Sequence, residues 1–415
     1  MSGAAAAGRG GRVALLLAMW AATGRAAEPA LSRIDAALEK GAAFLLKQQG
    51  SDGAWRSTTY GAMKDGTSLT PVAVKALWFG SRSPEAQQAV TRGLDFLAHL
   101  VDEHGTVSPG PDGMAYPVYS AAVASIVLGF SPAPEHQRAR DALLVFLRAR
   151  QLDERNGWSP ADSDYGGWGY YLGVPGAFAV PRKPPPGAPL PPMLSSNVSS
   201  TVMVVGALGL AGTAPDDPAL ARARLFIERM QNFAADPAEA DPVYDDGGFH
   251  FTPNDLVENK PGAAGTDRRG RARFRSYGSM TADGLRAMLR LGYGPEHPRV
   301  RAAAAWLARN FSARRCPGKF RPVDEERRES VFFYWSWTGS HALRALGASV
   351  LNGPAGKVRW AADMTDELLR RQRSDGSWGN GFKEMREDDP LVATPLAMAA
   401  LGNARWALAA DGARM

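Results

Sequence analysis

The chain contains one cysteine, Cys316, in 415 residues. A lone thiol excludes an internal disulfide and leaves no Cys cluster for zinc, so the fold must be held together by packing. A charge of one sign is missing too. The formal charge of +6 includes Arg9, Arg12 and Arg25, and from Glu28 onward 45 basic side chains face 42 acidic ones. Such a balance exerts little pull on nucleic acid, and no nucleic-acid partner is expected. Long apolar runs are absent beyond Trp20, which excludes a spanning helix there. The one apolar run, Val13 to Trp20, follows Arg9 and Arg12 and precedes the small residues around Gly24-Arg25-Ala26. That is the layout of a secretory signal peptide, residues 1–27, too short to span a bilayer. An exported protein is expected, periplasmic or extracellular. Cys316 lies too far from the leader to carry a lipid.

What is present is a repeat. An aromatic-aliphatic pair is followed after three residues by a frequent Gln, and later by Gly-x-aromatic. Phe44-Leu45, Gln49 and Trp55 form one complete copy, and Leu368, Gln372, Gly376 and Trp378 form another. Four eroded copies lie between them: Phe96-Leu97 with Gly105 to Val107, Phe146-Leu147 and Gln151 with Gly166 to Trp168, Phe226-Ile227 and Gln231 with Gly247 to Phe249, and Trp306-Leu307 with Gly318 to Phe320. After each ending comes a helical stretch poorer in charge: Pro71 to Phe79, Tyr119 to Leu128, Ser200 to Leu210, Met280 to Leu291, Gly339 to Leu346 and Thr394 to Leu401. Gly129, Gly212, Gly292, Gly347 and Gly402 suit left-handed helix ends. The first helix of each pair is amphipathic and the second is apolar nearly all round, so the second should lie inside. A lone hairpin cannot bury its apolar face, and six of them close naturally into a double ring. The expected fold is all-α, a single α/α toroid over residues 28–415.

Two insertions interrupt the pattern without dividing the domain. Residues 174–193 contain Pro175, Pro181, Pro184, Pro185, Pro186, Pro189, Pro191 and Pro192 and must be extended or irregular. Residues 252–275 form a polar loop with Arg268, Arg269, Arg271, Arg273 and Arg275, which reads as a solvated run more readily than as a phosphate site.

The endings Gln49 to Trp55 and Gln372 to Trp378, with the alternating inner helices, resemble the QW repeats of the squalene and oxidosqualene cyclases, whose toroid the prenyltransferase β subunits share. The resemblance covers roughly Ile34 to Leu408. Tyr165 to Tyr170, Asp246 to Phe249 and Ser276 to Thr281 also look like an exported bacterial branch with these repeats. In the cyclases the resemblance implies a central Asp of an Asp-x-Asp-Asp-Thr segment as the alkene-protonating acid. The corresponding segment here is Asn197-Val198-Ser199-Ser200-Thr201, with every acidic position replaced. Neither Ser nor Asn ionises in the useful range, so cyclisation by that mechanism is not expected. Prenyltransferases hold zinc with Asp, Cys and His. Here Cys316 follows Arg314 and Arg315, and His341 stands alone beyond Thr338, so no metal or other cofactor is expected.

Aromatic residues concentrate where loops meet inner helices: Trp168, Tyr170, Tyr171, Tyr277, Tyr334, Trp335 and Trp337. They either line an apolar chamber for a ligand or fill the mouth of the ring as core. Asp283 lies in an otherwise apolar helix, where a carboxylate needs a partner or a raised pKa. Glu387, Asp388 and Asp389 precede the last inner helix, where acids also serve as caps. Asp283, Asp388 and Asp389 are the catalytic candidates. The expected role is binding an apolar or isoprenoid small molecule, or serving as an envelope scaffold, with peripheral membrane association allowed. The alternatives are a diverged terpenoid cyclase using another acid, and a carbohydrate-active lyase or hydrolase on the same ring.

Overall fold

The computed structural model describes residues 30–107, 114, 116–170, 180–255, 257–354 and 356–414. The expected leader 1–27, Tyr171 and the segment 174–179 of the proline-rich insertion lie outside the described residues. Six helical hairpins follow one another. They are α1 (30–48) with α2 (Thr70–Gly80), α3 (Pro84–Ala98) with α4 (Pro117–Leu128), and α5 (Pro134–Arg148) with α6 (Val198–Leu210). Then come α7 (Pro218–Arg229) with α8 (Gly278–Arg290), α9 (Pro298–Asn310) with the short α10 (Glu325–Glu329) and α11 (Phe332–Ala345), and α12 (Trp360–Arg371) with α13 (Pro390–Arg414).

Outer helices carry one apolar stripe: α3 buries Ala86, Ala89, Val90, Gly93, Leu94 and Leu97. Four of them, α3, α5, α7 and α9, open on a proline, whose fixed φ suits the first helical position and whose missing N–H costs nothing there. The inner helices are mostly buried, α6 continuously from Val198 to Leu208, although α8 differs from the apolar expectation in carrying Asp283, Arg286 and Arg290. Each inner helix packs on the next in the order α2, α4, α6, α8, α11, α13 and back to α2, which closes the ring. The α/α toroid expected from the repeat is the observed fold.

Four local expectations are corrected. The fifth inner helix starts at Phe332 rather than Gly339, because burial of Phe332 to Trp337 outweighs the modest helix propensity of aromatic residues. The last inner helix continues to Arg414, so Gly402 lies within it. Gly212, Gly292 and Gly347 have φ of 78°, 90° and 65°, but Gly129 is right-handed at −66°. Phe130 and Ser131 donate their amides to Val127 and Leu128, so α4 winds out through tight turns and needs no left-handed residue. The polar loop is not structureless: β1 (Ala263–Thr266) pairs antiparallel with β2 (Ala272–Phe274), and a second hairpin, β3 (Leu351–Gly353) with β4 (Gly356–Val358), links α11 to α12. The loop's arginines are spent locally, Arg271 and Arg273 on Asp267, Arg273 also on Asp245, and Arg269 on Glu239.

Candidate functional site

The repeated ending builds a clasp between hairpins. The Gln372 amide donates to Gly376 O of its own turn at 3.0 Å and to Ala37 O of α1 at 2.9 Å. Gln49 does the same to Gly53 and Ala89, Gln151 to Gly166 and Ala219, and Gln231 to Gly247 and Arg299. The aromatic then folds back. Trp55, Trp168 and Trp378 donate their indole N–H to Leu45, Leu147 and Leu368 O, each at 2.8 Å. Their backbone amides donate to Thr70, Thr201 and Thr394, and that of Phe249 to Thr281, all near the N-terminal end of an inner helix. The sequence carried this threonine signal, which the repeat reading missed. It also explains the altered segment: Thr201 belongs to the clasp, and Asn197 caps α6 by accepting from Ser200 N at 2.8 Å. Three of the expected ligand-lining aromatics are occupied in the framework. Trp168 belongs to the clasp, Trp335 donates its indole to Ser312 O at 2.9 Å, and buried Tyr277 lies edge-on to Phe320.

Inside the ring a different group converges. Tyr170 shares a hydrogen bond with Ser199, which stands where the resemblance puts the missing acid. Tyr334 of α11 donates its hydroxyl to Asp283 Oδ2 at 2.7 Å. Arg286 donates Nη1 to Asp283 Oδ1 at 2.6 Å. Trp337 lies edge-on to Tyr334 and receives Arg286 and Lys75 over its ring, at 5.0 and 5.2 Å from the centroid. Lys75 belongs to α2 and Arg286 to α8, which are not neighbours in the ring, so they meet across its interior. Tyr119 of α4 packs on Tyr170 at 6.3 Å. Tyr119 and Tyr170 are only partly buried, unlike Trp168.

Electrostatics in this interior is unusual. Burial raises the Asp283 carboxyl above its ordinary range, against the pull of Arg286 and Tyr334. Burial, reinforced by Arg286, Arg290 and Arg344, brings the Lys75 ammonium down to about 7. The same burial and cations hold His341 well below its ordinary range. Sequence reasoning singled out Asp283 as a charge in an apolar helix; the same rule applied to Lys75, Arg286, Arg290 and Arg344 would have found the rest.

The other acids are committed to structure. Glu387 accepts from Phe333 N at 2.9 Å and Tyr334 N at 2.7 Å, capping α11, and burial lifts its carboxyl to about 8. Asp389 accepts from Leu391 N at 2.9 Å at the start of α13 and from the Ser57 hydroxyl at 2.5 Å. Asp388 accepts from the Tyr60 hydroxyl at 2.6 Å. Arg386 lies between the rings of Tyr60 and Tyr116, 5.2 Å from each, and both Arg386 and Tyr116 hold positive φ at this edge of the ring. Burial pushes the Cys316 thiol up to about 12, against the pull of neighbouring Ser279, and no group of three or more His, Cys, Asp or Glu suited to a metal ion occurs among the described residues.

No family model matches the sequence, and no curated protein is similar to it. By structure the chain is similar to the type II terpene cyclase MstE of Scytonema, with a TM-score of 0.52 at 13% identity over 92% of this chain and 99% of that one. A variant of that cyclase holding its substrate, geranylgeranyl dihydroxybenzoate, gives 0.52 at 14% identity over 92% and 99%. An inactive variant of an α-1,6-mannanase of Salegentibacter, holding α-1,6-mannotriose, gives 0.51 at 11% over 90% and 99%. The toroid is therefore shared with proteins of two unrelated chemistries, and function has to be argued from this chain's own interior.

Proposed function

We propose that the interior of the ring is a chamber for an apolar, isoprenoid-like molecule, and that the protein is exported and binds this ligand in the cell envelope without transforming it. The observation that carries the reading is the convergence of Tyr119, Tyr170, Tyr334 and Trp337 across the ring, with Tyr119 and Tyr170 keeping accessible surface among buried neighbours. Flat faces of this kind match prenyl chains and fused rings. Binding is favoured over cyclisation because Ser199 replaces the acid and both oxygens of Asp283 are engaged. The cyclase alternative rests on Asp283, a buried carboxyl inside the ring that Tyr334 and Arg286 hold and that burial raises above its ordinary range. Peripheral membrane contact is supported by an apolar cluster at the ends of α2 and α4, where Trp78 stacks on Phe130 at 5.0 Å and Phe79 is 60% exposed.

Organic extraction of protein purified from its producing cell, followed by mass spectrometry, tests the reading. A stoichiometric apolar compound, unchanged after prolonged incubation, is the expected result. Cyclised product from added geranylgeranyl substrates would move the reading to catalysis. Protein that extracts empty, ignores geranylgeraniol and releases sugars from α-1,6-mannan would replace it with the carbohydrate-active alternative. Export has its own check: N-terminal sequencing of the periplasmic or secreted fraction should begin near Glu28.

A further inference from the structure

The geometry points to a built anion site at the floor of this chamber, centred on Arg286 and Lys75, that takes the carboxylate or phosphate head of an otherwise apolar ligand. The inference rests on the reading of the ring interior as a ligand chamber and adds the chemistry of the ligand's polar end.

Arg286 is 2% exposed, and only Nη1 has a partner, Asp283. Its Nε and Nη2 are buried without any hydrogen-bond partner. Those two nitrogens form one edge of the guanidinium, the edge that grips a carboxylate or phosphate through two parallel bonds. Leaving two charged donors unmet in a buried site is costly, and natural folds rarely keep such donors without a use for them. Lys75 approaches the same tryptophan from the opposite helix and makes no hydrogen bond or ion pair with any described residue. Arg290 spends one donor on Val202 O at 2.7 Å, and Arg344 faces Trp406 at 5.6 Å.

The charge count leads to the same ligand. Lys75, Arg286, Arg290 and Arg344 act on one another, and Asp283 is the carboxylate set against them. Burial of like charges without compensation is unfavourable, and the fold relieves it by weakening the hold of Lys75, Arg290 and Arg344 on their protons. An anion between Arg286 and Lys75 supplies the missing charge and satisfies the free guanidinium edge. Tyr119, Tyr170 and Tyr334 stand on the Ser199 side of Asp283, so a ligand with its head at Arg286 lays its apolar body toward the aromatic mouth. A neutral terpene or a glycan would leave the cationic floor uncompensated.

The test has two arms. Inorganic phosphate at fixed ionic strength should raise the unfolding midpoint in a concentration-dependent way, and the rise should vanish in Lys75→Met and in the double variant Arg286→Gln, Asp283→Asn. The double variant removes both members of the buried pair so that neither is stranded, and Lys75→Met removes a charge that has no partner, so both should fold. In the second arm, geranylgeranyl phosphate and geranylgeranoic acid should bind about tenfold or more tightly than geranylgeraniol, the scale of a charge-assisted hydrogen bond. The stronger of the two anions then identifies the head group. No phosphate effect in the parent protein, or equal binding of the two anions and the alcohol, overturns the anion site, and in the latter case the chamber stands. A phosphate effect that needs Arg286, with no binding of any prenyl compound, supports the anion site and sinks the isoprenoid reading.

Discussion

Glu387, 1% exposed, holds the N-terminus of α11 through Phe333 N and Tyr334 N and is itself held by Asn380. Burial raises its carboxyl from an ordinary 4.5 to about 8, with Arg371 opposing weakly. Between those two values the folded protein binds a proton that the unfolded chain has released. Its contribution to stability is therefore complete below pH 4.5 and declines as pH rises toward 8. Glu387→Gln keeps the shape and cannot ionise. Urea unfolding should find it less stable than the parent at pH 5, or equal, and gaining on the parent steadily up to pH 8. Parallel profiles for the two proteins would show that Glu387 is charged in the fold. Tyr334 tests the other side of the same turn: Tyr334→Phe removes the hydroxyl that donates to Asp283 Oδ2 and leaves a buried carboxyl oxygen unpaired. A loss of about 1–3 kcal/mol is expected from that desolvated oxygen, read in the same unfolding assay.

At the scale of elements, the clasp is where sequence and structure agree in detail. Gly53, Gly166 and Gly376 have φ near +90°, and a Cβ on each would lie 2.1 to 2.3 Å from a carbonyl oxygen of the next outer helix. The Gln of the same copy, 4 residues earlier in the first and last and 15 earlier in the third, bonds a carbonyl one turn away on that same helix. Gly376→Ala is thus expected to cost about 1–2 kcal/mol for the left-handed backbone, with the clash against Lys40 O adding to it. A variant as stable as the parent in thermal unfolding would mean that the turn relaxes freely. The repeat was legible because its residues have one workable geometry: only Gly approaches the carbonyl, and a long amide reaches both turns. Where that demand lapses the signal fades, as in the second copy, where Val101 pairs with Val107 and Gly105 meets nothing within 4 Å. The interior was less legible. Its members come from α2, α4, α6, α8 and α11, so no local spacing joins Lys75 to Arg286 or Tyr170 to Ser199 until the ring closes. Aromatic residues at the same loop ends divided between framework and ring interior, Trp335 reaching Ser312 and Trp337 meeting Lys75, a difference of two positions on one helix.

For the whole molecule, closure changes what kind of repeat protein this is. An open solenoid has terminal repeats with one neighbour each, and these fray first. Here the last clasp bonds the first helix: Gln372 reaches Ala37 O, Gly376 presses on Lys40 O, Arg405 pairs with Asp35, and α13 packs on α2. Each hairpin then has two neighbours, and opening any one exposes the apolar inner ring of both. Hydrogen exchange under native conditions should therefore find the amides of α1 and α12 protected to nearly the same free energy as those of α6, the cooperative limit of global unfolding. Cutting the seam alone separates closure from local stability. Gln372→Leu with Gly376→Val removes the clasp's hydrogen bond to Ala37 O and forces the turn away from Lys40 O while leaving the Trp378 indole on Leu368 in place. In that variant α1 and α12 should exchange well ahead of α6, as the ends of an open array do. Exchange that stays uniform would place the cooperativity in the inner helices, with the clasp only trimming it. The proposed chamber depends on the same closure, because Lys75 and Trp337 lie on α2 and α11 and are brought together through α13. If the ring binds the proposed ligand, opening the seam should weaken that binding without touching a residue that lines the interior.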